Sequence, residues 1–259
     1  MSPPWRRGGA SLVLAALAGA CGGGEPSTPA GAAAADARRV DLSKAGRITG
    51  RVHYEGTPPR NPAIRMAADP VCQRENPDAV AETVVVSDGG LQNVFVYVKD
   101  GLNGYAFDTP TEPARLDQKG CRYVPHVLGL RAGQPIEIAN SDPTFHNVHA
   151  LPAVNREFNV GQPSQGMRDV RTFTAPEVMV RVKCDVHAWM HAYVGVVDHP
   201  YFAVTADGGT FSLEHVPAGT YTIEAWHEKL GTQTQTVTLG ETESKDIAFT
   251  FASAAGTLP

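Results

Sequence analysis

An all-β protein is what this chain of 259 residues predicts, on three observations. Val and Thr gather in short runs where apolar and polar residues alternate, the period of a half-buried strand. Gly (26) and Pro (20) punctuate those runs at close intervals, as turns between strands require. No window reads as an amphipathic helix of useful length. Many short strands with evenly spaced turn signals argue a β-sandwich or barrel.

The chain opens on an export address. Arg6 and Arg7 precede the apolar run "ASLVLAALAGA", which is too short to span a bilayer. It ends in Ala18, Gly19, Ala20 and Cys21 and resembles a bacterial lipoprotein signal, cut before the cysteine, whose thiol is then acylated. Ala18 stands where Leu is commonest in such signals, with Leu17 adjacent. An ordinary secretory signal with an incidental cysteine is the competing reading. Residues 1–21 are therefore expected to be signal and lipidated Cys21. Residues 22–45, rich in Gly, Ala, Pro and Ser, are expected to be a flexible tether. The expected location is the periplasm or outer cell envelope, anchored to membrane by lipid, in an oxidising compartment.

From Gly46 the reading is strand, turn, strand. "RITGRVHYEG" closes at "TPPR", "ETVVVS" at "DGG" and "VFVYVKD" at "GLNG". "GQPIEIANSDP" leaves a Gly-Gln turn and stops before a Pro. "EVMVRVKC" and "AYVGVVDHP" flank the loop treated below. Beyond His199, Phe211 and Leu213, then Tyr221, Ile223 and Ala225, then Ile247, Phe249 and Phe251 alternate, enough for one face of a small sandwich. A boundary near His199 and Pro200 divides a first domain, 46–198 with its core at about 84–198, from a second, 199–259. An alternative assigns residues 46–58 to the second domain, which would then be discontinuous.

Charge excludes one class of partner. A net charge of −5 with no basic stripe argues against nucleic acid. The four cysteines divide by context: Cys21 goes to lipid and Cys184 to a metal-like motif, leaving Cys72 and Cys121. A disulfide between these two suits export, and two free buried thiols are the competing assignment.

The chemistry lies in "VRVKCDVHAWMHAY". Along the strand, Val178, Val180, Val182 and Cys184 share one face, while Arg181 and Lys183 on the other must meet water. The thiol is thereby delivered to the apolar side at the end of a sheet. Three apart follow His187 and Met190, and "NSDPTFHNVHA" supplies a second imidazole, His146. Two His, one Cys and a weakly bound Met make the ligand set of a blue-copper electron-transfer centre.

"HNVH" with "CDVHAWM" resembles the cupredoxin family, and the short loop spacing is similar to amicyanin rather than to plastocyanins. The resemblance covers roughly residues 84 to 198, including "GCRYVPHVLGLRAGQPIEIANSDPTFHNVH". It implies a Greek-key β-sandwich with one type 1 copper. His146, Cys184 and His187 would lie in the trigonal plane, with Met190 on the long axial bond. Asn147 matches the asparagine that ties the two ligand loops beside the thiolate. His191 is a rival axial donor, but neighbours on a strand point to opposite sides, which places it at the surface if Met190 binds. His149 reads as packed or superficial, and His126 as lining the site or capping a turn. His53, His199, His215 and His227 read as surface residues.

The resemblance further implies single-electron transfer without enzymatic activity, because protein fills every in-plane position and no H-E-x-x-H pattern exists. The partners would be redox proteins, a c-type cytochrome or a dehydrogenase, docking where the second ligand histidine reaches an apolar surface. Ala188 and Trp189 would line that surface. Copper handling without redox turnover is the alternative function. The segment "VTADGGTFSLEHVPAGTYTIEAWHEKLG" resembles carboxypeptidase-regulatory-like, or transthyretin-like, β-sandwich domains, which implies a structural role.

Overall fold

Residues 37–252 are described by a computed structural model; Cys21, the expected lipidation site, and the tether up to residue 36 lie outside them. Within that range apolar alternation becomes strand in order. The first part of the chain forms β1 (Gly46–Glu55), α1 (Pro70–Glu75), β2 (Val86–Ser87), β3 (Gly90–Leu91) and β4 (Phe95–Asp100). The middle forms β5 (Ala114–Gln118), β6 (Tyr123–Val124), β7 (Val127–Arg131), β8 (Pro135–Asn140) and β9 (His146–Leu151). It continues through β10 (Phe158–Gln162), β11 (Arg168–Thr172), β12 (Glu177–Lys183) and β13 (His191–Val197). The tail forms β14 (Phe202–Val204), β15 (Thr210–Val216), β16 (Gly219–His227), β17 (Gly231–Leu239) and β18 (Ser244–Ala252).

Four sheets make two sandwiches. In one, the sheet β10-β9-β12-β13-β7 faces the sheet β11-β8-β5-β6 across a core that includes Leu116, Ile136, Ile138, Val148, Val180, Val182 and Val194. Parallel pairs, β13 with β7 and β5 with β8, sit among antiparallel ones. In the other, the sheet β15-β1-β3-β2 with β18 beside β1 faces β14-β4-β16-β17. Ile48, Val52, Val96, Leu213, Ile223 and Phe249 fill its core.

Strand pairing departs from a simple division at residue 199. β1 runs parallel to β18 from Arg47 opposite Ser244 to Glu55 opposite Ala252. β4, expected inside a domain of 46–198, instead hydrogen-bonds to β14 and β16. The tail strands leave a sheet short of partners and a face short of apolar cover; β1 to β4 supply both. Between β1 and β2 the chain crosses over, and Met66, Cys72 and Ala79 join the core of the other sandwich.

The sandwiches meet on Phe95, Tyr97, Val127 and Val197, with Tyr193, Phe202 and Trp226 packed around them. Phe95 needs two glycines to fit. A Cβ on Gly195 or Gly129 would come within 2.6 Å or 2.7 Å of its ring. A short helix is the one element without a signal in the apolar pattern. Asp69 caps it by accepting the Val71 and Cys72 amides, and Pro70 begins it.

His199 and His227, expected at the surface, are buried at 6% and 1% exposure. His199 Nδ1 accepts the Tyr201 amide at 3.2 Å, which requires the neutral ring. Burial depresses this imidazole to about 4 despite the nearby Asp198. The unfolded chain, with an ordinary histidine near 6.5, therefore binds the extra proton first. Stability from this group is complete above about pH 6.5 and is lost as pH falls toward 4, by about 3 kcal/mol at most. We expect His199→Gln to shrink the drop in Tm between pH 7 and pH 4.5. An unchanged drop would place the acid sensitivity elsewhere.

Candidate metal centre

Two strand ends and one loop build the site. On β9, His146, Val148 and Ala150 face the core, and His146 is fully buried. On β12, Val180 and Val182 are buried while Arg181 is exposed, so Cys184 continues the inward row at 2% exposure. The loop from Cys184 to Met190 closes on itself. The Cys184 amide donates to the Met190 carbonyl at 3.1 Å, and the Met190 amide to the His187 carbonyl at 2.9 Å.

The donors face one another. Nδ1 of His146 and Nδ1 of His187 are 3.0 Å apart, and Cys184 Sγ is 3.9 Å from His187 Nδ1. Two nitrogens each about 2.0 Å from a common ion stand roughly 3 to 3.5 Å apart, so the spacing suits a single metal. Met190, 1% exposed, packs in the same core as Cys184. His191 turns the other way, as strand parity expects, with Nε2 3.6 Å from Glu228 Oε2.

Electrostatics prepare the sulfur as a ligand. Burial raises the Cys184 thiol, but hydrogen bonds from His146 and His187 and from the Asn147 and His187 backbones prevail, bringing it down to about 5. His146 is pulled down by burial and up, to about 8, by Asp142 and Cys184. The pair favours a thiolate beside an imidazolium, whose proton a bound metal ion would replace. The Asn147 side-chain oxygen accepts the Asp185 amide at 2.7 Å, joining the β9 strand to the Cys184 loop, and lies 3.3 Å from Sγ.

Behind each imidazole stands a carboxylate that the sequence reading did not single out. His146 Nε2 meets Asp142 Oδ2 at 2.9 Å, and His187 Nε2 meets Asp69 Oδ2 at 3.0 Å. These bonds fix the ring tautomers and turn both Nδ1 atoms inward. Asp142 is held in turn by the Gly120 and Cys121 amides, each at 2.7 Å, and Asp69 by α1. Two cues were available: Asp142 lies four residues before His146, and Asp69 precedes Pro and Cys as a helix cap would.

Cys72 and Cys121 are joined, with Cα atoms 5.4 Å apart. The bridge connects the segment carrying Asp69 to the loop gripping Asp142, and Cys72 Sγ lies 3.8 Å from His187 Nε2. The expected surface position of His187 therefore needs correction. The ring is 3% exposed because the Asp69–Cys72 segment covers its outer edge. Of the expected docking residues, Ala188 is exposed, whereas Trp189 is half-buried. The Trp189 indole N–H donates to the Cys121 carbonyl at 3.0 Å, and its ring lies 4.9 Å from that of His187. His149 is tied to Asp185 and Glu157 outside the cluster. His126 is buried against Glu228.

No family model matches this chain, and no curated protein sequence does. Solved cupredoxin structures are similar in part. A purple cupredoxin from Nitrosopumilus maritimus is 20% identical over 32% of this chain and 98% of its own, with a TM-score of 0.28. Amicyanin in a Cu(I) form is 22% identical over 34% of this chain and 86% of its own, with a TM-score of 0.30. A copper-containing nitrite reductase from Thermus scotoductus is 22% identical over 36% of this chain and 24% of its own, with a TM-score of 0.30. The likeness is thus partial, and the donors of this chain carry the functional reading.

Asp69→Asn should keep the helix cap, and hence stability to within about 0.5 kcal/mol, while weakening copper binding roughly 10- to 100-fold. Titration of both proteins with Cu(II), alongside thermal melts, checks this; equal affinities would show that Asp69 only caps. Replacing Cys72 and Cys121 together by Ser opens a link spanning 49 residues and should cost about 4 kcal/mol on the loop-entropy account. Denaturant unfolding of the double variant measures it.

Proposed function

We propose that this chain is an exported, lipid-anchored carrier of single electrons with one type 1 copper. One observation carries the reading: a free thiol and two imidazole Nδ1 atoms, one from β9 and the others from the loop after β12, converge in a buried core. His146, Cys184, His187 and Met190 would hold the ion. Bound copper supplies a one-electron couple.

The rest is done by the chain. Cys184 presents a thiolate at neutral pH. Asp142 and Asp69 hold the two imidazoles in one orientation, so the donor positions stay nearly constant on gain or loss of an electron. Val148, Val180 and Val182 exclude water from the core beneath the donors. With the in-plane positions filled by protein, substrate has no place to bind, which supports a carrier over an enzyme. A c-type cytochrome or a dehydrogenase in the cell envelope suits such a carrier as partner. Trp189 and Ala188 lie next to the site on the side such a partner would approach.

The deciding experiment is the visible and EPR spectrum of the purified protein loaded with Cu(II). We expect an intense thiolate-to-copper band and a narrow copper hyperfine splitting, both abolished in Cys184→Ser. A colourless protein that prefers Cu(I) or zinc would overturn electron transfer in favour of metal handling.

A further inference from the structure

A second group of donors lies one residue beyond Met190, at the seam between the sandwiches. His126 precedes β7, His191 begins β13 and Glu228 follows β16, so two strands of one sandwich and a hairpin of the other contribute. His126 Nε2 is 2.7 Å from Glu228 Oε1, and His191 Nε2 is 3.6 Å from Glu228 Oε2. One ligand atom from each lies within 4.8 Å of the others. Tyr193 packs its ring against both imidazoles and faces the same carboxylate.

The carboxylate is the telling part. Its side chain is 3% exposed, yet Oε2 has no hydrogen-bond partner among the described residues. His191 Nδ1 lies 3.2 Å from the Trp189 carbonyl and therefore carries the hydrogen. His191 Nε2 faces the unpartnered Glu228 Oε2 at 3.6 Å, beyond hydrogen-bond range and matched to two ligands of one ion. A cation between the two atoms would partner the buried oxygen.

We propose that His126, His191 and Glu228 form a second metal site, for a borderline divalent cation of the zinc class. Two imidazoles and one carboxylate suit such an ion and leave at least one position for water or a small anion. His126 and His191 line a cleft of about 260 Å³ that provides the route in; Met190, Trp189, Arg122 and Glu82 also line it. A bound ion would clamp the two sandwiches together through Glu228. The site is independent of the His146, Cys184 and His187 cluster.

Zinc binding to the full chain tests this, by calorimetry and metal analysis of native protein, Glu228→Gln, Cys184→Ser and the double variant. We expect two zinc equivalents for the native protein, one for each single variant and none for the double. Affinity at the second site should fall at least 100-fold in Glu228→Gln. One equivalent, lost in Glu228→Gln and kept in Cys184→Ser, would support this site while removing the first. One equivalent lost only in Cys184→Ser, or stoichiometry unmoved by Glu228→Gln, would overturn it. If Glu228→Gln does not fold, His191→Gln replaces it, since that ring is partly exposed.

Discussion

Everything at the candidate centre depends on the hydrogen bond between each candidate ligand imidazole and an anchored carboxylate. An imidazole has two nitrogens, and only one can face the cysteine. Asp142 and Asp69 claim Nε2 on their respective rings, and the Nδ1 atoms are left 3.0 Å apart beside a thiol. The carboxylates are themselves anchored, one by two backbone amides and the other by a helix end. The disulfide connects these two anchors across 49 residues. Donor geometry is thus set outside the donor loop, by a segment that precedes it by more than 100 residues.

That segment also changes what a partner protein meets. With the outer edge of His187 under Asp69 and Cys72, the ligand ring does not reach solvent. The nearest superficial groups are Trp189, which contacts both the His187 ring and the Cys121 carbonyl, and Ala188 beside it. An electron leaving the site through His187 would cross the disulfide or the indole, both polarisable, before meeting a partner. The same cover shuts water from the His187 ring and restrains its position.

The two sandwiches are interleaved along the chain, not strung in series. Strand β1 is central to the tail sandwich, the crossover after it reinforces the core around Cys184, and β4 returns to the tail. Each sandwich therefore needs segments from both sides of the other in sequence. Their common seam carries Phe95 at its apolar centre and the Glu228 group at one margin. A change in the packing of one sandwich has a direct path to the other through these residues.

Much of this was legible from local pattern alone. The all-β class followed from alternation and turns. Cys184 followed from parity with Val180 and Val182, and the spacing of His187 and Met190 followed from the shortness of their loop. Asn147 and the Cys72–Cys121 pair were also open to reading from sequence. Contacts between distant segments were not. The place of β4 depended on which sheet had a free edge, a property of the assembled sandwiches. The burial of His187 depended on a helix without hydrophobic periodicity, positioned by a disulfide and a cap. His199 and His227 looked like isolated surface residues, and Glu228 was not singled out, because their partners lie in other strands. The sequence by itself determined which side of each strand is apolar, since period and solvent act locally. Only the tertiary structure decided which strands become neighbours and which polar groups are shut from water, because those outcomes belong to the whole packing.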